Sequence, residues 1–132
     1  MQITKGESRA NIIYAFHINC RLQINKMKFT FLGRELTIRF VKGTYRNNGN
    51  LYVGIQSFYE DEGWGNFCDI TVNTREKCPE NCGFLNANLS NEVYRLIRPY
   101  IKETGRAMDN GFTKYPEVCF DKNFLDSATK LV

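Results

Sequence analysis

The sequence predicts an α+β fold, an antiparallel β-meander of about five strands with one helix packed on a face. Three observations in the 132-residue chain carry that expectation. Between Met27 and Asn73, apolar residues alternate with polar ones at period two, the pattern of strands with one buried face. Short glycine- and asparagine-bearing breaks divide this stretch at hairpin spacing. Beyond it, a single run places its apolar residues at helical spacing.

In chain order, residues 1–26 read as an N-terminal extension to a single α+β domain at 27–132. Ile12, Tyr14, Phe16, Ile18, Cys20, Leu22 and Ile24 share one parity, so Asn11–Ile24 can add an edge strand to the meander. Phe29 and Phe31 then share a face, with Lys28 and Thr30 on the other. Leu36, Ile38 and Phe40 alternate with Thr37 and Arg39, and Leu51, Val53 and Ile55 with Tyr52, Gly54 and Gln56. Cys68, Ile70 and Val72 alternate with Asp69 and Thr71. Gly33 supplies the positive φ of a first turn, Asn48-Gly49 is a strong hairpin signal, and Glu60–Gly65 forms a third turn. After a polar loop over Asn73–Gly83, Asn88 or Ser90 caps a helix that begins near Asn91. Its stripe is Val93, Leu96, Ile97, Tyr100 and Ile101; Pro99 kinks it and Gly105 stops it. A loop over Arg106–Lys114 leads to a last strand, Tyr115–Phe120, which Pro116 places at an edge or at its own start.

Composition narrows the class. A chain of this length buries roughly two-thirds of the surface its unfolded form exposes, so it folds without metal or disulfide. No apolar run reaches the ~20 residues of a membrane span, and the N-terminus lacks an uninterrupted apolar signal region. These features predict a cytoplasmic protein with no membrane partner. Five cysteines without a secretion signal then read as free thiols, with Cys68 and Cys119 in apolar, core-like stretches.

Charge is uneven. Residues 1–59 hold nine Lys/Arg against two acids (+7), and residues 60–132 nine against twelve (−3). Arg34, Arg39, Lys42 and Arg46 gather around the second strand with Tyr45 and Tyr52 beside them. Such a face can hold phosphates and stack bases, and it equally suits solvated strand residues that deter edge pairing. The turn Phe58-Tyr59-Glu60-Asp61-Glu62-Gly63-Trp64 offers Tyr59, Glu60, Asp61, Glu62 and Trp64 as a protein-binding group, because loop aromatics anchor interfaces at small entropic cost. The alternative is that Trp64 folds back to cap the core. The CPENC segment with His17 and Cys20 has loose zinc-like spacing. On a strand, however, residues 17 and 20 point to opposite faces, so no metal and no cofactor is expected. His17 lies in an apolar run, and no nucleophile elbow, phosphate loop, dinucleotide or HExxH pattern occurs, so no enzyme is expected either.

The segments FLGRELTIRFVKGTYRNNGNLYVGIQSF, GWGNFCDITVN, FLNAN and YPEVCFD resemble a family of small uncharacterised bacterial proteins, a domain-of-unknown-function group. VKGTYRNNGNLYV and DITVN are the most specific parts of a likeness that spans roughly Met27 to Asp121. The resemblance implies a short accessory protein of phages and conjugative elements in gut bacteria. It further implies binding to a host or element-encoded protein complex, with inhibitors of restriction or CRISPR defence as one such class. It brings no catalytic residues. Nucleic acid is the alternative partner, through Arg34, Arg39, Lys42, Arg46 and Tyr52.

Overall fold

A computed structural model describes residues 26–131. The strand expected over Asn11–Ile24, with His17 and Cys20, lies outside the described residues. The predominantly antiparallel β character holds, but the strands divide between two sheets instead of one.

Sheet one contains the expected meander. Strands β1 (Lys26–Phe31), β2 (Arg34–Thr44), β3 (Leu51–Tyr59) and β4 (Gly63–Asp69) run antiparallel in sequence. The β1–β2 turn is Leu32-Gly33, with φ of 51° and 77°, a two-residue turn matched to strand twist. The far edge of β2 is shared: β1 pairs with Arg34–Arg39, and β9 (Thr129–Lys130) pairs in parallel with Val41 and Lys42.

The expected fourth strand breaks at Ile70. Its first part is β4, and its second, β5 (Thr71–Val72), crosses to sheet two. Ile70 donates its N–H to Val53 at 2.9 Å and accepts from the Asn86 N–H at 2.8 Å, so one residue bridges both sheets. The crossing also buries Thr71, whose hydroxyl accepts from the Val53 N–H at 3.1 Å; alternation had placed Thr71 on the wet side. Sheet two has the order β5, β6 (Cys82–Leu85), β8 (Lys114–Phe120), β7 (Ile101–Asp109).

The helical part differs from expectation. Helix α1 covers Asn91–Ile97 and starts as read, with the Ser90 hydroxyl accepting from the Val93 N–H at 3.2 Å. Pro99 ends it instead of kinking it. A 3₁₀ turn over Arg98–Tyr100 follows, and Ile101 enters β7, so Gly105 (φ 92°) sits at a strand irregularity and Arg106–Asp109 is strand, not loop. Pro116 lies inside a central strand, but β6 pairs only with Glu117–Cys119, which leaves that side of Pro116 without a ladder partner. A second helix, α2 (Lys122–Ser127), was not foreseen; the Asp121 carboxylate caps it by accepting from the Phe124 N–H at 3.1 Å.

The main core lies between the inner faces of the sheets, closed by the helices. Ile38, Phe40, Val53 and Ile55 of sheet one meet Leu85, Val118 and Phe120 of sheet two, with Val93 and Ile97 from α1 and Phe124 and Leu125 from α2. A smaller cluster of Cys78, Cys82 and Phe84 is packed with Val72, Met108, Tyr115 and Cys119. Free thiols do not hold for Cys82 and Cys119. They are direct ladder partners with Cα atoms 4.0 Å apart, and they form a disulfide. A separation of 37 residues hides that pairing in the sequence.

Candidate interaction surface

The hairpin ends of β1–β2 and β3–β4 lie side by side, because Ile38 pairs with Ser57 and Phe31 with Arg34. Leu32, Phe58 and Tyr59 all belong to this end and are 75%, 47% and 46% exposed. Leu32 stands at the tip of a tight turn, where no neighbour among the described residues covers it. Tyr59 lies over Gly65, where an added Cβ would meet its ring at 3.1 Å, so the glycine lets the ring settle on the backbone. Glu60, Asp61 and Glu62 form the exposed turn between β3 and β4, closed by the Glu62 N–H to the Tyr59 carbonyl at 3.1 Å and by Gly63 at φ 80°.

Trp64 neither sits in a loop nor caps the core. It belongs to β4 opposite Phe58, their rings edge to face with centroids 5.4 Å apart, on the outer face of sheet one. The Arg39 guanidinium lies 4.3 Å from the Trp64 ring centroid, and its Nε donates to Gln56 Oε1 at 2.9 Å. Burial pulls the Arg39 pKa below its ordinary value without discharging it. One residue from each of the two groups expected from the sequence is therefore joined in a single contact. The other members of the basic group scatter. Arg34 is exposed beside the Leu32 turn, and Arg46 is exposed beyond the opposite end of β2. Lys42 shares the inner parity with Phe40 and donates its ammonium to the Leu125 carbonyl at 2.6 Å, where it holds the end of α2. Tyr52 donates to Asp69 Oδ1 at 2.7 Å and meets Tyr45 edge to face at 5.7 Å; burial, then the Asp69 bond, pushes its pKa up.

Sequence reasoning missed two cations that accompany Arg39. Lys26 pairs with Arg39 across β1–β2, and Lys28 donates to Thr37 Oγ1 at 3.0 Å. Their alternation with Met27 and Phe29 was the available signal. Phe29, Phe31 and Phe67 make a part-exposed aromatic group on the inner parity at this end, Phe31 and Phe67 edge to face at 5.2 Å.

Glu117 is buried, but its carboxylate accepts from Arg106 Nη2 at 2.6 Å and Thr104 Oγ1 at 2.7 Å. The Arg106 hydrogen bond, foremost, holds it below the usual carboxylate range, so at neutral pH it has no appetite for a proton. A cavity of about 240 Å³ opens between Met27, Phe40, Tyr100 and Phe124, smaller than the 300–1,000 Å³ typical of ligand pockets. Of its polar rim, Asp121 caps α2 and the Ser127 hydroxyl donates to the Phe124 carbonyl at 2.8 Å. Among the described residues, no cluster of three or more His, Cys, Asp or Glu is placed to hold a metal ion, and no helix is long and apolar enough to cross a membrane.

Residues 41–130 match the family model described as a domain of unknown function, DUF4313, and the chain belongs to that family. The matched segment closes on itself, since Val41 and Lys42 near its start pair with Thr129 and Lys130 at its end. Trp64 and the acidic turn lie within it, whereas Arg39, Lys26 and Lys28 precede it. No curated protein and no solved structure matches the chain.

Proposed function

We propose that this DUF4313 member is a non-enzymatic protein-binding module that meets its partner with the hairpin end of sheet one. The observation that carries this reading is the concentration of Leu32, Phe58 and Tyr59, all exposed, around an Arg39–Trp64 stack. Aromatic and arginine anchors set in a preorganised scaffold are the residues that dominate measured interface energies. The acidic turn Glu60–Glu62 adds a charged rim that favours a basic partner. In this reading the protein is an accessory factor of a phage or other mobile element of gut bacteria. Its partner is a host or element-encoded complex, with a defence complex of the restriction or CRISPR kind the leading class.

Nuclease-treated host lysate passed over the tagged chain is the test. Capture of a protein complex by wild type, lost with Trp64→Ala and Tyr59→Ser, supports the reading. Equal capture by wild type and both variants refutes it. A second reading rests on the outer row Lys26, Lys28 and Arg39 beside Trp64, which suits a phosphate backbone with a stacked base. It predicts that log affinity falls linearly with log salt, with a slope near −0.7 per neutralised single-strand phosphate. A flat salt response between low and physiological ionic strength excludes it.

A further inference from the structure

Three of the chain's five cysteines gather on the outer face of sheet two. Val118 and Phe120 belong to the main core, so Glu117 and Cys119 take the opposite face of β8. The ladder sets Phe84 against Glu117 and Cys82 against Cys119, one same-face row apart, about 7 Å along the strand. The Cys78 thiol donates to the Glu117 carboxylate and packs in one cluster with Phe84 and Cys82. A free thiol therefore stands at one row and the Cys82–Cys119 disulfide fills the next. The backbone fixes that thiol from both sides. The Cys78 N–H donates to Asn50 Oδ1 at 3.0 Å, and the Lys77 carbonyl accepts from Arg106 Nη2 at 3.0 Å.

The two sulfurs of the disulfide differ in their surroundings. Cys82 is buried with the free thiol, whereas Cys119 is half-buried and has Lys102 of β7 as its other ladder partner. Direct partners share a face, which sets the Lys102 side chain beside Cys119. A neighbouring cation lowers a thiol's pKa, and a thiol of lower pKa leaves a disulfide faster.

We propose that these residues form an internal thiol–disulfide exchange site, in which Cys78 takes Cys82 from Cys119 and leaves Cys119 as a thiol open to covalent modification. Cys78 gives its proton to water, and its thiolate attacks Cys82 Sγ. The Cys78–Cys82 bond forms as the Cys82–Cys119 bond breaks. The electron pair goes to Cys119 Sγ beside Lys102, and that thiolate takes a proton from water. One disulfide and one thiol stand on each side of the step, so it consumes no oxidant and no reductant. The turn that the new bond closes is already folded, with the Cys82 N–H donating to the Pro79 carbonyl at 3.1 Å. The step trades a link between β6 and β8 for one inside a loop, and so unfastens sheet two.

At rest the site is held shut. Burial, foremost, and then the Glu117 hydrogen bond and charge push the Cys78 thiol up to about 11; Glu76 adds to the rise and Arg106 opposes it. Tyr115 packs in the same cluster, and Lys102 stands beyond it at Cys119. The thiol is thus protonated at neutral pH, and exchange quickens as pH rises toward that value. The site lies on sheet two and does not rest on the binding surface proposed for sheet one.

Peptide mapping tests it. The full chain with its disulfide intact is held in mildly alkaline buffer with iodoacetamide and no added thiol. Remaining thiols are then blocked with N-ethylmaleimide in denaturing acid, and the protein is digested with trypsin without reduction for mass spectrometry. The original link joins peptides 78–95 and 115–122, whereas exchange gives 78–95 closed on itself and 115–122 alkylated at Cys119. Conversion is expected at a rate independent of protein concentration, with Cys119 alkylation at least tenfold slower in folded Cys78→Ser. An original link that persists with Cys119 unmodified overturns the proposal, as does equal Cys119 alkylation in Cys78→Ser. A Cys78–Cys119 link with Cys82 alkylated, or a link from Cys20 or Cys68 to Cys82, overturns it too. The wild-type map decides alone should the variant not fold.

Discussion

On sheet two the outer face is shut. Phe84 and the Cys82–Cys119 disulfide lie beneath the loop that carries Cys78, and the Arg106 guanidinium sits 5.4 Å from the Phe84 ring centroid. Arg106 also binds Glu76 at 2.8 Å and the Lys77 carbonyl at 3.0 Å, while buried Asn50 reaches the same loop from the turn between β2 and β3, accepting from the Cys78 N–H and donating to the Glu76 carbonyl. Among the described residues sheet one has no such lid on its outer face at the hairpin end, where Trp64 meets the Arg39 guanidinium and the Phe58 ring, and Phe58 stays half in water. Two sheets built from similar strands thus differ in finish: one is fastened by covalent and ionic links, and the other leaves aromatic surface exposed, the surface assigned to a partner in the function proposed above.

The largest way to break this contrast is to unfasten sheet two. A disulfide spanning 37 residues removes unfolded-state entropy that corresponds to about 4 kcal/mol. Replacing both Cys82 and Cys119 by Ser is expected to lower the urea unfolding free energy by most of that, while partner capture by folded protein is unchanged. A loss below about 1 kcal/mol shows that the link does not fasten the sheet.

Trp64→Ala is expected to do the reverse. It should weaken partner binding tenfold or more, equivalent to at least about 1.4 kcal/mol, and shift the thermal midpoint little, because Trp64 lies outside the main core. Titration calorimetry against the captured partner, beside thermal unfolding, reads both arms.

Glu117→Gln sharpens the comparison through pH. The native Glu117 pKa is depressed, so its contribution is present above the unfolded value of about 4.3 and is lost as pH falls through the lower folded value. Arg106 is 42% exposed and therefore screened, which limits the contribution to about 1–2 kcal/mol. The variant should unfold more readily than wild type at pH 7, with the gap closing in strong acid. A gap that persists unchanged in strong acid contradicts the role given to the carboxylate.

The smallest effect is at Ser57, whose buried hydroxyl has no hydrogen-bond partner among the described residues. Ser57→Ala is expected to be neutral or to stabilise by up to about 1 kcal/mol in chemical denaturation. A destabilisation of that size reveals a partner for the hydroxyl.

What the sequence disclosed follows the range of the interactions involved. The meander hairpins rest on alternation and on Gly33 and Asn48-Gly49, all local signals, and they were legible. So was the Ser90 cap of α1. The second sheet was not. Its order joins β5, β6, β8 and β7 through pairings such as Cys82 with Cys119, which no local pattern encodes. The crossing at Ile70 was masked because alternation runs through it unbroken, and Ile101 kept the helical stripe although Pro99 had already ended the helix. At the candidate site, residue types drew attention to Arg39 and Trp64 separately. Only the register of β2, β3 and β4 places them in one stack.

Two sets of variants put the central division between the sheets to a direct test. Nuclease-treated host lysate is passed over wild type, over Tyr59→Ser/Trp64→Ala, and over Arg106→Met, each verified as folded. The account predicts the same partner on wild type and Arg106→Met, absent from the sheet-one variant, with only Arg106→Met lowered in thermal midpoint. Loss of the partner with Arg106→Met while Tyr59→Ser/Trp64→Ala retains it would place the working surface on sheet two and contradict the account.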